Sequence, residues 1–129
     1  MTYKSAQLEQ GVFTAVLIGE CELGLAQYQF VDLVEEVINM GATKVLIDGR
    51  QLTGNPTEFE RFLYGSFAAW VALDVLFRHN VRMKFAYVIH EPLRDPNRLG
   101  ETVAVNGGMD VKTFEDENEA VEWLNDHEG

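Results

Sequence analysis

The sequence predicts an α/β domain with a mixed β-sheet, and two observations lead to this fold class. Apolar runs rich in β-branched residues alternate along the chain with segments whose apolar residues recur every three to four positions. Most of the helical segments carry a capping or proline signal at their start, or glycine or asparagine at their end. Strands that alternate with helices in this way build parallel sheets through right-handed crossovers.

The chain of 129 residues is expected to form one domain, spanning residues 1–129. Its hydrophobic content of 47% is typical of globular proteins. No positively charged segment followed by an apolar run begins the sequence, and no apolar stretch reaches the roughly 18 residues of a spanning helix. We therefore expect a cytoplasmic protein, and the single cysteine, Cys21, excludes an internal disulfide.

The net charge of −11 argues against nucleic-acid binding and disfavours peripheral contact with an anionic membrane. The charge is uneven, because residues 50–98 hold seven of the ten basic residues and only five acidic ones. An anionic ligand, if there is one, is therefore expected near this middle third.

The first third of the chain predicts a hairpin followed by a helix and a strand. Residues 3–9 and 12–21 are expected to pair across a turn at Gln10-Gly11. Residues 25–40 have helical spacing and end at Gly41, which suits the left-handed position that closes a helix. A short buried strand is then expected over residues 44–48.

The remainder alternates helices with strands. A helix is expected over residues 56–78, because Asn55 suits the cap, Pro56 suits the first position and Glu58 suits a capping-box carboxylate. The following elements are a central strand, a helix, an edge strand and a final helix whose charged end frays, at residues 84–89, 97–106, 111–114 and 116–129. The expected order is β-β-α-β-α-β-α-β-α, with about four helices.

The polar segment after residue 47 is the densest set of chemically active groups. It contains Asp48, Thr53, Asn55, Thr57 and Glu58. Asp48 is expected at the carboxyl end of a parallel strand, where α/β sheets place their sites, and the free N–H groups at the next helix start attract anions. Asp48 and Asn55 also suit a purely structural role, satisfying the loop backbone and capping the helix, and both interpretations stay open.

The segment VLIDGRQLTGNPTEFERFL, the ending FEDENEAVEWL and the order of elements resemble the STAS domain, the fold of anti-anti-sigma factors, and its SpoIIAA-like relatives. In anti-anti-sigma factors this loop ends in Asp-Ser-Ser-Gly, whose first serine is phosphorylated. Pro56, Thr57 and Glu58 stand at the Asp and the two Ser positions. The resemblance implies a non-enzymatic regulatory module that binds a protein partner, with Thr57, and less directly Thr53, as phosphorylation candidates.

The helix expected over residues 56–78 is apolar around most of its circumference, which requires burial on several sides or a covering partner. One interpretation is a core helix with a homodimer face, and the other is a groove for an apolar ligand, another protein or a membrane surface. The residues that would form this interface or ligand site are Phe59, Phe62, Leu63, Phe67, Trp70 and Val71.

We therefore expect a binding module rather than an enzyme, acting on a protein partner or as a homodimer. The alternative is a carrier or sensor of an apolar or lipid-like molecule beside Phe62, Phe67 and Trp70, with or without membrane association. We predict no cofactor and no metal, because the three histidines lack ligand-type partners at helical spacing. An enzyme using Asp48 with His90 is the least supported alternative.

Overall fold

The structure of the chain, a computed structural model, describes residues 1–126, except for the side chains of residues 4–7. The predicted α/β class is confirmed, with four helices and a mixed sheet within these residues. The fraying expected at the charged end concerns in part residues 127–129, which lie outside the described residues. The elements are β1 (Thr2–Glu9), β2 (Val12–Glu20), α1 (Leu23–Met40), β3 (Lys44–Thr53), α2 (Glu58–His79), β4 (Lys84–Val88), α3 (Leu99–Asn106), β5 (Asp110–Phe114) and α4 (Glu117–Leu124).

The five strands lie side by side in chain order. β1 and β2 form the antiparallel hairpin, turning at Gln10 and Gly11, which both have positive φ. β2 to β5 are parallel to one another. Each parallel crossover leads to the neighbouring strand, always towards the same edge of the sheet. Because such crossovers are right-handed, the helices within them, α1, α2 and α3, all lie on one face of the sheet.

The two faces of the sheet carry two separate cores, as the alternation of side chains along strands requires. Val45 and Phe85 face α1, α2 and α3, and pack with Leu33 of α1. The next residues along the strands, Leu46 and Ala86, belong to the second core, which α4 covers. The large face therefore has three helices and the small face has one.

β3 runs further than predicted, ending at Thr53 rather than Asp48. The register with β2 shifts after Asp48, so that Ile18 pairs with Gln51 and Glu20 with Thr53. β4 ends at Val88, opposite Asp48, and does not accompany this extension. An irregularity of this kind bends a strand and lets it continue with a single neighbour.

The start of α2 also differs from the prediction, because Thr57 and not Asn55 is the N-cap. The Thr57 hydroxyl accepts from the Glu60 N–H (3.1 Å), and the Glu60 carboxylate accepts from the Thr57 N–H (2.8 Å). This pair is a capping box with the required spacing of three residues, whereas Glu58 is the first helical residue. The Asn55 side chain instead accepts from Arg61 Nη2 (3.3 Å).

α2 and α3 approach each other closely through glycines. A Cβ atom at Gly65 would lie 2.5 Å from the carbonyl oxygen of Gly100, and one at Gly107 would lie 2.8 Å from Cβ of Ala69. The backbones meet here because no side chain separates them. This contact sets how far α2 and α3 lie from each other above the sheet.

We expect Gly65→Ala to destabilise the protein by roughly 1–3 kcal/mol, because the added methyl group meets a backbone oxygen that cannot move aside. Gly24→Ala is the matched control, since Gly24 is also helical and its Cβ would meet nothing within 4 Å. We expect it to be neutral or to stabilise by up to about 1 kcal/mol through helix propensity. Urea unfolding measures both, and equal effects of the two substitutions would contradict the close contact.

Candidate functional site

A cavity of about 180 Å³ lies between the three-helix face of the sheet and the helices above it. Its floor is formed by strand residues such as Leu17, Ile47 and Tyr87, and Phe30 and Tyr64 line it from α1 and α2. The rim is formed by residues near the starts of α2 and α3, among them Pro56 and Arg98. The cavity is therefore mainly apolar inside and polar at its rim.

Small residues on the inner surfaces of the helices create this space. Ala26 of α1, Gly65 and Ala68 of α2, and Gly100 and Ala104 of α3 all line it. Larger side chains at these positions would extend towards the sheet, as they do in an ordinary close-packed core. A set of glycines and alanines on the buried sides of three helices thus indicates the cavity. This set was not recognised from the sequence, because the three helices are distant from one another in the chain.

Two tyrosine hydroxyls meet in the wall of the cavity. The Tyr64 and Tyr87 oxygens are 2.7 Å apart, and either hydroxyl can be the donor. Burial raises the pKa of both phenols, so both stay protonated near neutral pH. The two hydroxyl groups form one hydrogen bond with each other, so one of their two protons is not donated within the pair.

Gln29 of α1 also lines the cavity, and only one of the two polar atoms of its side-chain amide has a hydrogen-bond partner in the described part of the chain. Nε2 donates to the Met1 carbonyl (3.2 Å), whereas Oε1 is buried and has no hydrogen-bond partner within the described residues. Buried polar atoms normally have partners, because an unmade hydrogen bond costs about 1–3 kcal/mol. Gln29 Oε1 is therefore an acceptor available to a bound molecule.

Cys21 lies in the cavity wall too. Burial raises the pKa of its thiol, and the nearby Glu60 carboxylate acts in the same direction. A raised pKa keeps the sulfur as a neutral thiol at neutral pH, which makes it a poor nucleophile. Cys21 is thus a component of the cavity wall and a useful chemical reporter, rather than a catalytic group.

Two arginines at the rim of the cavity, Arg61 and Arg94, donate hydrogen bonds to other groups of the protein. Arg61 donates to the carbonyl oxygens of Pro92 and Leu93, both at 2.7 Å, and so ties the segment before α3 to α2. Arg94 donates to the Thr113 hydroxyl (3.1 Å) and to the Glu115 carboxylate (3.1 Å). These contacts hold the rim in place from α2 and β5.

The predicted site residue Asp48 lies elsewhere, inside β3 on the face that α4 covers. It is buried, and its two carboxylate oxygens accept from Arg50 Nε (2.9 Å) and Nη2 (2.8 Å). The Arg50 guanidinium holds the pKa of Asp48 below its usual range, and Arg50 also lies 3.6 Å from Glu117 of α4. Sequence analysis missed Arg50, although residues two apart in a strand share a face.

His90, the other candidate for acid–base chemistry, is directed to a different carboxylate. Its Nδ1 lies 3.7 Å from Glu115 Oε2. Asp48 is meanwhile bonded at both oxygens to Arg50. The arrangement pairs Asp48 with a permanent cation rather than with an imidazole, which does not form a general acid–base pair.

The other predicted loop residues gather at the start of α2, not around Asp48. Thr57 caps the helix, Asn55 binds Arg61, and Glu58 is exposed in the first turn. The Thr53 hydroxyl lies 3.5 Å from the Gly19 carbonyl oxygen, at the end of β3. The structure thus divides the predicted site between two faces of the sheet.

The outer face of α2 carries an exposed aromatic stripe, defined by Phe59, Phe62, Trp70 and Phe77. These side chains are 69%, 48%, 65% and 86% exposed. The other residues of the predicted apolar face are half-buried (Leu63 and Phe67) or part of the core (Val71). The long apolar helix is therefore buried on one side and uncovered on the other.

The predicted ligand position beside Phe62, Phe67 and Trp70 does not coincide with the cavity. From α2, the cavity is lined by Glu60, Arg61, Tyr64, Gly65 and Ala68. These residues face the sheet, whereas the aromatic stripe faces away from it. α2 therefore presents two distinct surfaces, a small-residue surface around the cavity and an aromatic surface outside.

Comparisons with known proteins leave the family open. No protein-family model matches the chain, and no curated protein matches it. Within residues 1–126, no helix is both long and apolar enough to cross a membrane. In the same part of the chain, no three His, Cys, Asp or Glu residues are grouped so that they could hold a metal ion.

We expect Arg50→Ala to lower the free energy of unfolding by about 1–2 kcal/mol at pH 7, because it leaves the buried Asp48 carboxylate without its cation. Asp48 has a lowered pKa when folded, so the stabilisation is present above the unfolded pKa of about 4 and is lost as the pH falls through the folded value. The effect of Arg50→Ala should therefore shrink towards pH 2.

Arg78→Ala is the matched control, because Arg78 pairs with Asp74 on an exposed helix surface. We expect it to change stability by less than about 0.5 kcal/mol at any pH. Urea unfolding between pH 7 and pH 2 measures both variants. A pH-independent effect of Arg50→Ala would show that the guanidinium acts through packing and not through the carboxylate.

Proposed function

We propose that this protein is a carrier or sensor of a small apolar molecule, which it holds in the cavity between the sheet and α1, α2 and α3. The observation that carries the proposal is the cavity itself, mainly apolar inside and with a few polar groups in its wall. Ligand sites in proteins are commonly concave, apolar and largely preformed, with a small number of polar groups that fix orientation.

The framework around the cavity favours a binding role over a catalytic one. The cavity's thiol and both phenols have raised pKa values and stay neutral. The carboxylates of Glu60 and Glu101 already accept from backbone N–H groups. These polar groups of the cavity wall are thus neutral or already hydrogen-bonded to the backbone, which supports a non-enzymatic function.

The proposal includes membership of the STAS or SpoIIAA-like group. The support is the resemblance of the segment around Asp48 to Thr57, together with the order of strands and helices in the described chain, which is the order that the resemblance implies. Function does not follow from a fold, so the carrier role depends on the cavity and not on the family.

We expect toluene, used as a small apolar probe, to bind the cavity and to slow alkylation of Cys21 by iodoacetamide. At ten times its Kd the probe should also stabilise the protein by about 1.4 kcal/mol. Ala26→Phe should abolish both effects, because the added ring occupies the space that Ala26 leaves open.

Asn39→Phe is the matched control, since it places the same ring at an exposed position of α1 outside the cavity lining. It should leave protection of Cys21 unchanged. If toluene protects the wild type and Ala26→Phe equally, or protects neither, the cavity is not the binding site and the carrier proposal fails.

A second candidate function is a protein-interaction module, and the exposed aromatic stripe of α2 favours it. Together its four side chains expose on the order of 500 Å² of aromatic surface. A typical stable interface buries about 800 Å² on each partner, so this stripe would supply more than half of the area that one partner buries. Large uncovered apolar surfaces on soluble proteins usually mark interaction sites.

The spacing of the stripe fits a second copy of the same chain. If two α2 helices pack antiparallel about a two-fold axis at residue 68, Phe59 lies opposite Phe77 of the other copy. Phe62 then lies opposite Asp74, and the small Ser66 lies opposite Trp70. Two of the three pairs thus match a large side chain with an apolar or a small one, as a two-fold interface between identical surfaces requires, and the third places Phe62 against the charged Asp74.

Within this second candidate, Thr57 and Thr53 are the residues through which a kinase would act. Phosphorylation of Thr57 would place a dianion at the start of α2, where the helix dipole favours it. It would also remove the hydroxyl from its capping box and add charge beside Glu58 and Glu60. The modification would therefore change the start of the helix that carries the stripe.

We expect the wild type to sediment as a dimer and Trp70→Glu to sediment as a folded monomer, because Trp70 lies outside the core. Tyr28→Glu is the control, since Tyr28 is an exposed aromatic residue on α1 away from the stripe. Tyr28→Glu should stay dimeric. A wild type that is monomeric at 100 µM or higher, or a dimer that survives Trp70→Glu, would contradict this interface.

A further inference from the structure

We propose that the ligand of the cavity is an uncharged molecule the size of one substituted ring, and that it carries one hydroxyl or N–H group. This inference rests on the proposed carrier function and specifies its ligand class. Three properties of the cavity support it independently: its size, the hydrogen-bonding capacity of its wall and the charge of its lining.

The space inside the cavity suits a single ring with one or two small substituents. The volume is about 180 Å³. An apolar protein cavity of about 150 Å³ is known to accept benzene. A two-chain lipid or a long acyl chain does not fit within this volume, whereas a ring with a methyl group and a hydroxyl group does.

Two sets of polar atoms in the cavity wall have unused hydrogen-bonding capacity. Tyr64 and Tyr87 use one hydroxyl proton between them, so the second proton is available to an acceptor. Gln29 Oε1 is a buried acceptor without a partner among the described residues. A ligand hydroxyl suits either set, because it both donates and accepts, and an N–H group suits Gln29.

The charged side chains of the cavity lining balance, with three arginines (Arg61, Arg94, Arg98) and three carboxylates (Glu60, Asp95, Glu101). Each carboxylate accepts from a backbone N–H group of the protein, those of Thr57, Leu99 and Thr113 respectively. Arg61 and Arg94 donate to protein oxygens. An ionised ligand would therefore lose its hydration inside a cavity whose charged groups, among the described residues, already use hydrogen bonds to the protein, except for Arg98 at the exposed rim.

Arg98 is the residue that favours the main alternative ligand class, an aromatic carboxylate. It is exposed at the rim, and no protein acceptor for its guanidinium is seen in the described chain. An aromatic carboxylate would place its ring in the cavity and its charge on Arg98. We favour the neutral ligand because Arg98 lies in solvent, where ion pairs contribute little, whereas Gln29 Oε1 is buried and unpaired.

The experiment compares toluene, p-cresol and p-toluate by calorimetric titration into the full chain. These probes share a methyl-substituted ring and differ in one group, which is absent, a hydroxyl or a carboxylate. We expect p-cresol to bind about two- to tenfold more tightly than toluene, and p-toluate to bind most weakly. A cavity without hydrogen-bonding capacity would give the reverse order of toluene and p-cresol, because the hydroxyl loses its hydration.

Variants locate the polar contact. Gln29→Leu and the double variant Tyr64→Phe/Tyr87→Phe should each lower the affinity ratio of p-cresol to toluene while leaving toluene binding nearly unchanged, because either tyrosine alone would keep one unused hydroxyl proton. Tyr28→Phe, next to Gln29 in the chain but outside the cavity lining, should leave the ratio unchanged. If the double variant does not fold, Gln29→Leu alone provides the comparison.

The outcomes separate this inference from the function on which it rests. If toluene binds as tightly as p-cresol, or if p-toluate binds most tightly, the carrier function stands and the ligand class is wrong. If the ratio is the same in Gln29→Leu and in the double variant Tyr64→Phe/Tyr87→Phe as in the wild type, the hydroxyl is not recognised by these groups. If none of the three probes binds, the carrier function itself fails.

Discussion

The close contact between Gly65 of α2 and the carbonyl oxygen of Gly100 in α3 is the constraint on which the three-helix face depends. Right-handed crossovers that all move in one direction bring α1, α2 and α3 to one face of the sheet. α2 and α3 then share that face without a side chain between them at this point. The same glycines line the cavity, so the contact that joins the helices also leaves space beneath them.

α2 combines two requirements that are usually met by different helices. Its inner surface carries Glu60 and Arg61 at the start and then Tyr64 with small residues, and it helps to form a cavity next to a well-packed core. Its outer surface exposes large aromatic side chains that the rest of the described chain does not cover. The capping box of Thr57 and Glu60 and the contacts of Arg61 hold the start of this helix against the segment before α3. Ligand binding on one surface and self-association on the other would therefore be connected through one rigid element.

Local signals in the sequence predicted most of the fold, because they depend on neighbouring residues. The hairpin turn at Gln10-Gly11 and the helix end at Gly41, which has positive φ, follow from backbone preferences. The prediction of Asn55 as the cap was wrong because two capping patterns overlap there, and the reciprocal Thr57–Glu60 pair is the one that forms. The end of β3 was missed because its extension after Asp48 depends on pairing with β2 alone, which is a long-range property.

The candidate site was much harder to predict than the fold. Asp48 stood out as a lone carboxylate at a strand end, but its role is set by Arg50 on the same face of the strand. The cavity depends on small residues from three helices that are distant in sequence, and on the sheet order that brings these helices together. The aromatic residues of α2 were noticed, yet the burial of Val71 and the exposure of Trp70 depend on which side of the helix meets the sheet.

The most direct test of the central claim is a crystal structure of the protein soaked with p-bromophenol, whose bromine atom is located by anomalous scattering. The account predicts one strong peak inside the cavity, among Tyr64, Ala68 and Ala104, with the phenol oxygen within hydrogen-bonding distance of Gln29 Oε1 or of a tyrosine hydroxyl. A cavity that holds only ordered water, with bromine on the outer surface of α2 or nowhere, would contradict it.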